Sequence, residues 1–149
     1  MRVETDGQRD ILIGPGGPRS GFATQGAIMT GTTIIGREEA ARRVSEALPA
    51  WRFDGQTLRR TYKVNGFRSA LVVTTTIGHL AEAAWHHPDI ALSWGKVEVV
   101  LWSHDAGGVT ERDFALAQQI EAVIAWRPAA GGPLEGAPAE PAHAYVLAD

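Results

Sequence analysis

Apolar and polar positions alternate in a way that divides residues 36–127 into seven elements. From Arg37 to Leu48, the positions Ala41, Val44 and Leu48 recur at helical spacing. Glu38 and Glu39 suit the positive end of that helix, and Pro49 stops it. Trp51-Arg52-Phe53 and Thr57–Val64 read as two strands joined at Asp54-Gly55, a strong hairpin signal. In the second of them Leu58, Tyr62 and Val64 share the face suited to a core, and Arg59, Thr61 and Lys63 share the other. After the turn Asn65-Gly66, a long helix is predicted from Phe67 to about His86. Its expected inward face is Phe67, Leu71, Thr74, Gly78 and Ala81, and the run Thr74-Thr75-Thr76 is weak in helix propensity. Pro88 ends that helix, and His87 before it is pushed towards extended geometry.

A second strand pair follows, Ile90–Trp94 and Lys96–His104, turning at Gly95. Val97, Val99 and Leu101 lie on one side of the longer strand. Glu98, Val100, Trp102 and His104 lie on the other. Asp105-Ala106-Gly107-Gly108 reads as a loop. Thr110 then caps a helix with Asp113 three residues on, the spacing of a capping box. Leu116, Ile120, Val123 and Ile124 form its apolar stripe, and Pro128 follows it.

The simplest packing for this order is an α+β two-layer domain, with one four-stranded antiparallel sheet and the helices packed on one face. The opposite sheet face is mixed in character, which points to self-association. Outside residues 36–127 the pattern fades. In residues 1–35, Ile11-Leu12-Ile13 is broken at once by Gly14-Pro15-Gly16-Gly17-Pro18, so a flexible N-terminal extension is expected. Everything assignable lies after Met29, which makes Met29 a candidate start. Residues 128–149 are rich in Ala, Pro and Gly and read as a flexible tail.

Composition narrows the class. A chain of 149 residues, 44% hydrophobic and 21% charged, suits one globular domain. The absence of cysteine removes disulfides, thiolate nucleophiles and sulfur-ligated metals. A net charge of −3 argues against a large nucleic-acid footprint. No apolar run approaches the ~18 residues of a membrane span. Met1-Arg2-Val3-Glu4-Thr5-Asp6 has no apolar stretch behind it and does not read as a signal peptide, so the expected location is the cytoplasm.

The candidate chemistry lies at element ends: Glu82, His86-His87-Pro88, Trp94, His104 and Asp113. Histidine, with an ordinary pKa of about 6.5, serves as acid or base near neutrality. Each of these residues has a plainer reading beside that one. Asp113 also fits as a capping carboxylate, Glu82 as a solvated helix charge, and Trp94 and Trp102 as packing residues. His79 and His143 have no supporting context. Zinc held by His86, His87 and His104 is disfavoured, because adjacent histidines diverge once the helix ends and no helically spaced ligand pair is present.

The spacing Glu82, then three positions to His86-His87-Pro88, five to Trp94, nine to His104, and Asp113 beyond resembles the signature of the pterin-4a-carbinolamine dehydratases. Trp51, Leu58–Tyr62, Trp102-Ser103-His104 and Gly108–Asp113 extend the resemblance over roughly residues 37–125. It implies the two-layer fold already read, and a lyase without cofactor or metal. Such an enzyme removes water from 4a-hydroxytetrahydrobiopterin to leave quinonoid dihydropterin, in tetrahydropterin recycling. By the same resemblance His86 and His104 transfer protons and His87 holds the pterin, while Glu82 and Asp113 orient the imidazoles. Ser103, Asp105 and Ala106 flank the pterin through backbone groups, with Pro88 and Trp94 beside it. Dimers or tetramers through the sheet edge and helices are implied as well. A different class stays open: relatives of this fold serve as non-catalytic dimerisation partners of transcription factors or as assembly factors.

Overall fold

The computed structural model describes residues 33–135 and 144–147. The expectations about Ile11–Ile13, Met29 and His143 lie outside the described residues. The elements are α1 (Arg37–Ala47), β1 (Arg52–Phe53), β2 (Leu58–Lys63), α2 (Gly66–Ala84), β3 (Asp89–Ser93), β4 (Lys96–Leu101) and α3 (Glu111–Ile124). The strands form one antiparallel sheet in the order β1-β2-β4-β3. The expected α+β architecture is therefore present, with β2 and β4 as the central pair.

Register follows burial. Leu58 pairs with Leu101 and Tyr62 with Val97, so the apolar residues of both strands fall on the covered side. Arg59, Thr61, Glu98 and Val100 occupy the alternate positions on the open side. A slip of one residue would exchange the two sets, and that is what fixes the pairing. The core joins these residues to Val44 of α1 and Leu48 just after it, Val73 and Ile77 of α2, and Phe114, Ala117 and Ile120 of α3.

One polar tie runs through this core. Glu121 Oε2 of α3 accepts from Trp51 Nε1 at 3.0 Å, Tyr62 Oη at 2.9 Å and Arg60 Nε at 3.3 Å. Burial and the neighbouring Glu121 carboxylate push the Tyr62 hydroxyl well above its ordinary range. Arg43 of α1 grips Glu111 at the start of α3 at 2.5 and 2.9 Å.

Four expectations need correction. The inward face of α2 is Ser69, Ala70, Val73, Ile77 and Ala81, whereas Phe67 and Leu71 are nearly half exposed. The helix carries apolar residues all round, so spacing alone does not select a stripe. In α1 the buried alanine is Ala40 and not Ala41, and in α3 Phe114 and Ala117 join the stripe while Val123 lies outside it. β4 ends at Leu101, so Trp102 to His104 belong to the following loop.

The two terminal segments also meet the domain. Ile35 N–H donates to Val109 O at 2.8 Å, and the Ile34 side chain covers Gly108. At the other end Val146 is buried and bridges to Val64. Leu147 N–H donates to Lys63 O at 2.9 Å, and Asn65 N–H donates to Tyr145 O at 3.1 Å. This part of the tail continues the sheet along the edge of β2 that the two-residue β1 leaves uncovered.

Candidate active site

The site begins where α2 stops. Trp85 adopts φ 49° and ψ 43°, the left-handed conformation. Its N–H donates to Glu82 O at 3.2 Å, and His86 N–H donates to Ala81 O at 3.1 Å. That pair of bonds is the Schellman closure of a helix, which normally has glycine at the left-handed position. Among the described residues Trp85 is the one non-glycine with positive φ. A side chain there costs about 1–2 kcal/mol in backbone strain. Arg112 Nη2 donates to the Trp85 carbonyl at 2.7 Å and holds the corner from α3.

The corner sends the two histidines apart. His86 turns inward and is buried, and His87 turns outward. His86 Nε2 lies 2.7 Å from Asp113 Oδ1. Asp113 is fully buried at the third position of α3. Its other oxygen accepts from Thr110 N–H at 2.8 Å, Ser103 Oγ at 2.8 Å and Thr110 Oγ1 at 3.1 Å. The capping box thus holds one carboxylate oxygen in place while the other faces the imidazole. With Asp113 ionised it only accepts, and a neutral His86 that donates from Nε2 then keeps Nδ1 as its lone pair.

His87 Nε2 lies 3.0 Å from Glu82 Oε1 one turn back on α2, with both side chains exposed. The Trp85 ring meets the His87 ring edge-on at 5.6 Å. His104 sits on the exposed loop that follows β4, its ring 4.0 Å from the ring of Trp102. That loop is closed by Ser103 N–H to Gly108 O at 2.9 Å and Gly107 N–H to Ser103 O at 2.8 Å. Gly107 makes the turn with φ +76°.

Of the residues marked in the sequence, His86, Asp113 and Ser103 are joined directly, and His104 adjoins Ser103 in the chain. Glu82 and His87 form their own pair, followed by the half-buried Pro88. Asp105 is exposed at the loop tip, and Ala106 N–H is spent on Ser103 O at 3.2 Å. Ser103 enters through its hydroxyl, because both of its backbone groups are used within the loop. Trp94 stands apart. It stacks with Phe67 at 6.4 Å and lies over Gly66, at the start of α2, while the histidines follow its other end about 28 Å away at 1.5 Å per residue. Arg112 and the left-handed Trp85 carried no signal in the hydrophobic pattern. Only the position of Trp85 just before the pre-proline histidine pair marks it as a helix terminus.

A cavity of about 480 Å³ opens beside His86 between α2 and α3, walled by Leu80, Ala83, Ala84, Arg112 and Leu116. Among the described residues no three His, Asp or Glu side chains converge as metal ligands. Among the same residues no helix is long and apolar enough to cross a membrane.

A family profile described as Pterin 4 alpha carbinolamine dehydratase matches residues 34–123, from the segment before α1 almost to the end of α3. The chain belongs to this family. Curated relatives agree with that placement. A protein of Aquifex aeolicus named "Putative pterin-4-alpha-carbinolamine dehydratase" is 39% identical over 87 residues, covering 58% of this chain and 88% of the relative. One of the same name from Roseiflexus castenholzii is 46% identical over 77 residues, 52% of this chain and 83% of the relative. Among solved structures, a transcriptional coactivator/pterin dehydratase from Brucella melitensis superposes with a TM-score of 0.56 at 28% identity. The match covers 61% of this chain and 98% of that one. The matched region contains every residue of the His86–Asp113–Ser103 cluster.

Proposed function

We propose that the protein dehydrates 4a-hydroxytetrahydropterins, with His86 and His104 as the proton-transfer groups. The observation that carries this reading is the buried Asp113, which joins the His86 imidazole to the Ser103 loop in one hydrogen-bonded cluster. The reaction breaks the C4a–O bond, releases the hydroxyl as water, removes a ring N–H proton and leaves a C=N bond. It is redox-neutral and needs one acid and one base. His86, held in one tautomer by Asp113, presents Nδ1 as the base, and Asp113 faces the positive charge that forms on the ring. His104, on the exposed loop next to Ser103, protonates the departing hydroxyl. His87 binds the pterin with Glu82 behind it. Each proton transfer contributes about 10²–10⁴-fold.

The test is dehydration of 4a-hydroxytetrahydropterin generated in situ, followed by ultraviolet absorbance for wild type, His86→Ala and His104→Ala. A fast wild type with losses of about 10²-fold or more in both variants is expected. A wild type no faster than the uncatalysed background would sink the reading. We also propose assembly as a homodimer or homotetramer. Its support is the apolar outer face of α2, where Phe67, Leu71 and Val72 are each 45–46% exposed. A second reading, a partner-binding role with or without catalysis, has in its favour that the similar Brucella melitensis protein is named a transcriptional coactivator/pterin dehydratase. Loss of a captured partner on deletion of residues 1–28, with dehydration unchanged, would favour it.

A further inference from the structure

We infer that Trp85 is a substrate-contacting residue that sets affinity for the planar heteroaromatic ring, and this rests on the pterin reading above. The argument starts from a conflict. The left-handed position at the end of α2 favours glycine, yet it holds the bulkiest side chain available. Burial does not compensate, since Trp85 is 75% exposed. Among the described residues its ring contact is with His87, T-shaped at 5.6 Å, and most of the indole is left open to solvent next to the proposed pterin-binding histidine.

Strain of this kind persists where the surrounding structure holds it and where function uses it. The holding is visible. Arg112 fixes the Trp85 carbonyl at 2.7 Å, and the Schellman bonds from Trp85 and His86 close the helix behind it. With the backbone pinned, the indole projects from a fixed corner, one residue from His86 and against the ring of His87. A flat bicyclic ligand held by His87 meets this surface, and an aromatic wall there adds stacking without ordering a mobile loop. None of the proton-transfer steps needs Trp85, so its effect falls on binding.

The experiment compares Trp85→Gly and Trp85→Phe with wild type in thermal unfolding, in dehydration kinetics, and in direct titration with an oxidised biopterin followed by calorimetry. Glycine relieves the strain, so Trp85→Gly is expected to unfold at the wild-type temperature or above it. Its KM and its Kd for biopterin should rise about tenfold, the size of one lost aromatic face, with kcat within about threefold of wild type. Trp85→Phe should restore affinity to within about threefold. Unchanged KM and Kd in Trp85→Gly would overturn the inference, as would a phenylalanine variant as weak as the glycine one. The two readings separate cleanly. Biopterin binding that weakens in Trp85→Gly without any turnover in wild type would sink the dehydratase reading and uphold this one. Normal turnover with no change in Trp85→Gly would do the reverse. A wild type that neither turns over nor binds would overturn both.

Discussion

Replacing Asp113 separates its two tasks, since it both caps α3 and faces His86. In Asp113→Ala the hydroxyls of Ser103 and Thr110 keep each other at 2.8 Å, but His86 Nε2 and Thr110 N–H lose their partner in a fully buried site. Each orphaned donor costs about 1–3 kcal/mol, so about 2–6 kcal/mol is lost from a domain whose whole stability is about 5–15 kcal/mol. In Asp113→Asn the amide oxygen can still take the Thr110 N–H and the Ser103 hydroxyl. The amide NH₂ then donates to His86 Nε2, which requires the other imidazole tautomer. The stability cost falls to about 1–2 kcal/mol, that of exchanging charged for neutral hydrogen bonds. On the proposed mechanism catalysis suffers more, because the Nδ1 lone pair is replaced by N–H. A loss in kcat of about 10²-fold or more is expected. Urea unfolding followed by tryptophan fluorescence, with dehydration kinetics on the same samples, reads both quantities. The reasoning fails if the asparagine variant is as unstable as the alanine one, or if it turns over within threefold of wild type.

Other consequences are more local. Glu121→Leu leaves Trp51 Nε1 and Tyr62 Oη in the core without their shared acceptor. It should lower stability by about 2–5 kcal/mol in urea unfolding, with kcat per folded molecule unchanged. Removing residues 136–149 takes away the buried Val146 and its bridge to Val64. The expected cost is about 2 kcal/mol, a fall in Tm of roughly 10 °C by calorimetry, and an unchanged Tm would contradict the docking. For Asp54, burial acts to raise the carboxyl pKa, but Arg59 and the donors of Thr57 and Gln56 outweigh it and hold the group well below its ordinary range. A folded pKa below the unfolded one contributes stability above about pH 4 that is lost as pH falls towards 2. Unfolding midpoints across that window should therefore fall with acid, less steeply in Asp54→Asn and less steeply in 1 M salt.

Much of the fold was legible because its determinants are local. Pro49, Asp54-Gly55, Asn65-Gly66, Pro88 and Pro128 punctuate the elements. Alternation along Leu58–Val64 and Val97–Leu101 assigns the covered face of the sheet without reference to any neighbour. The pairing of Thr110 with Asp113 is likewise local, and both capping bonds are present. The signature spacing from Glu82 to Asp113 led to the family directly. The inward face of α2 was not legible, since its apolar residues lie on every side and only the sheet and α3 choose among them. The distance of Trp94 from the histidines in the folded chain was not legible for a related reason. Its distance along the chain from His87 says nothing about which end of a helix the β3–β4 turn meets.

By itself the sequence determined the elements, the sheet face that is buried, the family, and which residue types could move protons, all from short-range spacing. Tertiary structure alone decided that Asp113 meets His86 and that Ser103 joins them through its hydroxyl. It also decided that Arg112 grips the carbonyl of a strained Trp85, and that Val146 returns to the edge of β2. These contacts join residues 10 to 82 positions apart. Their geometry depends on how α2 and α3 pack over one sheet, and no local period encodes that.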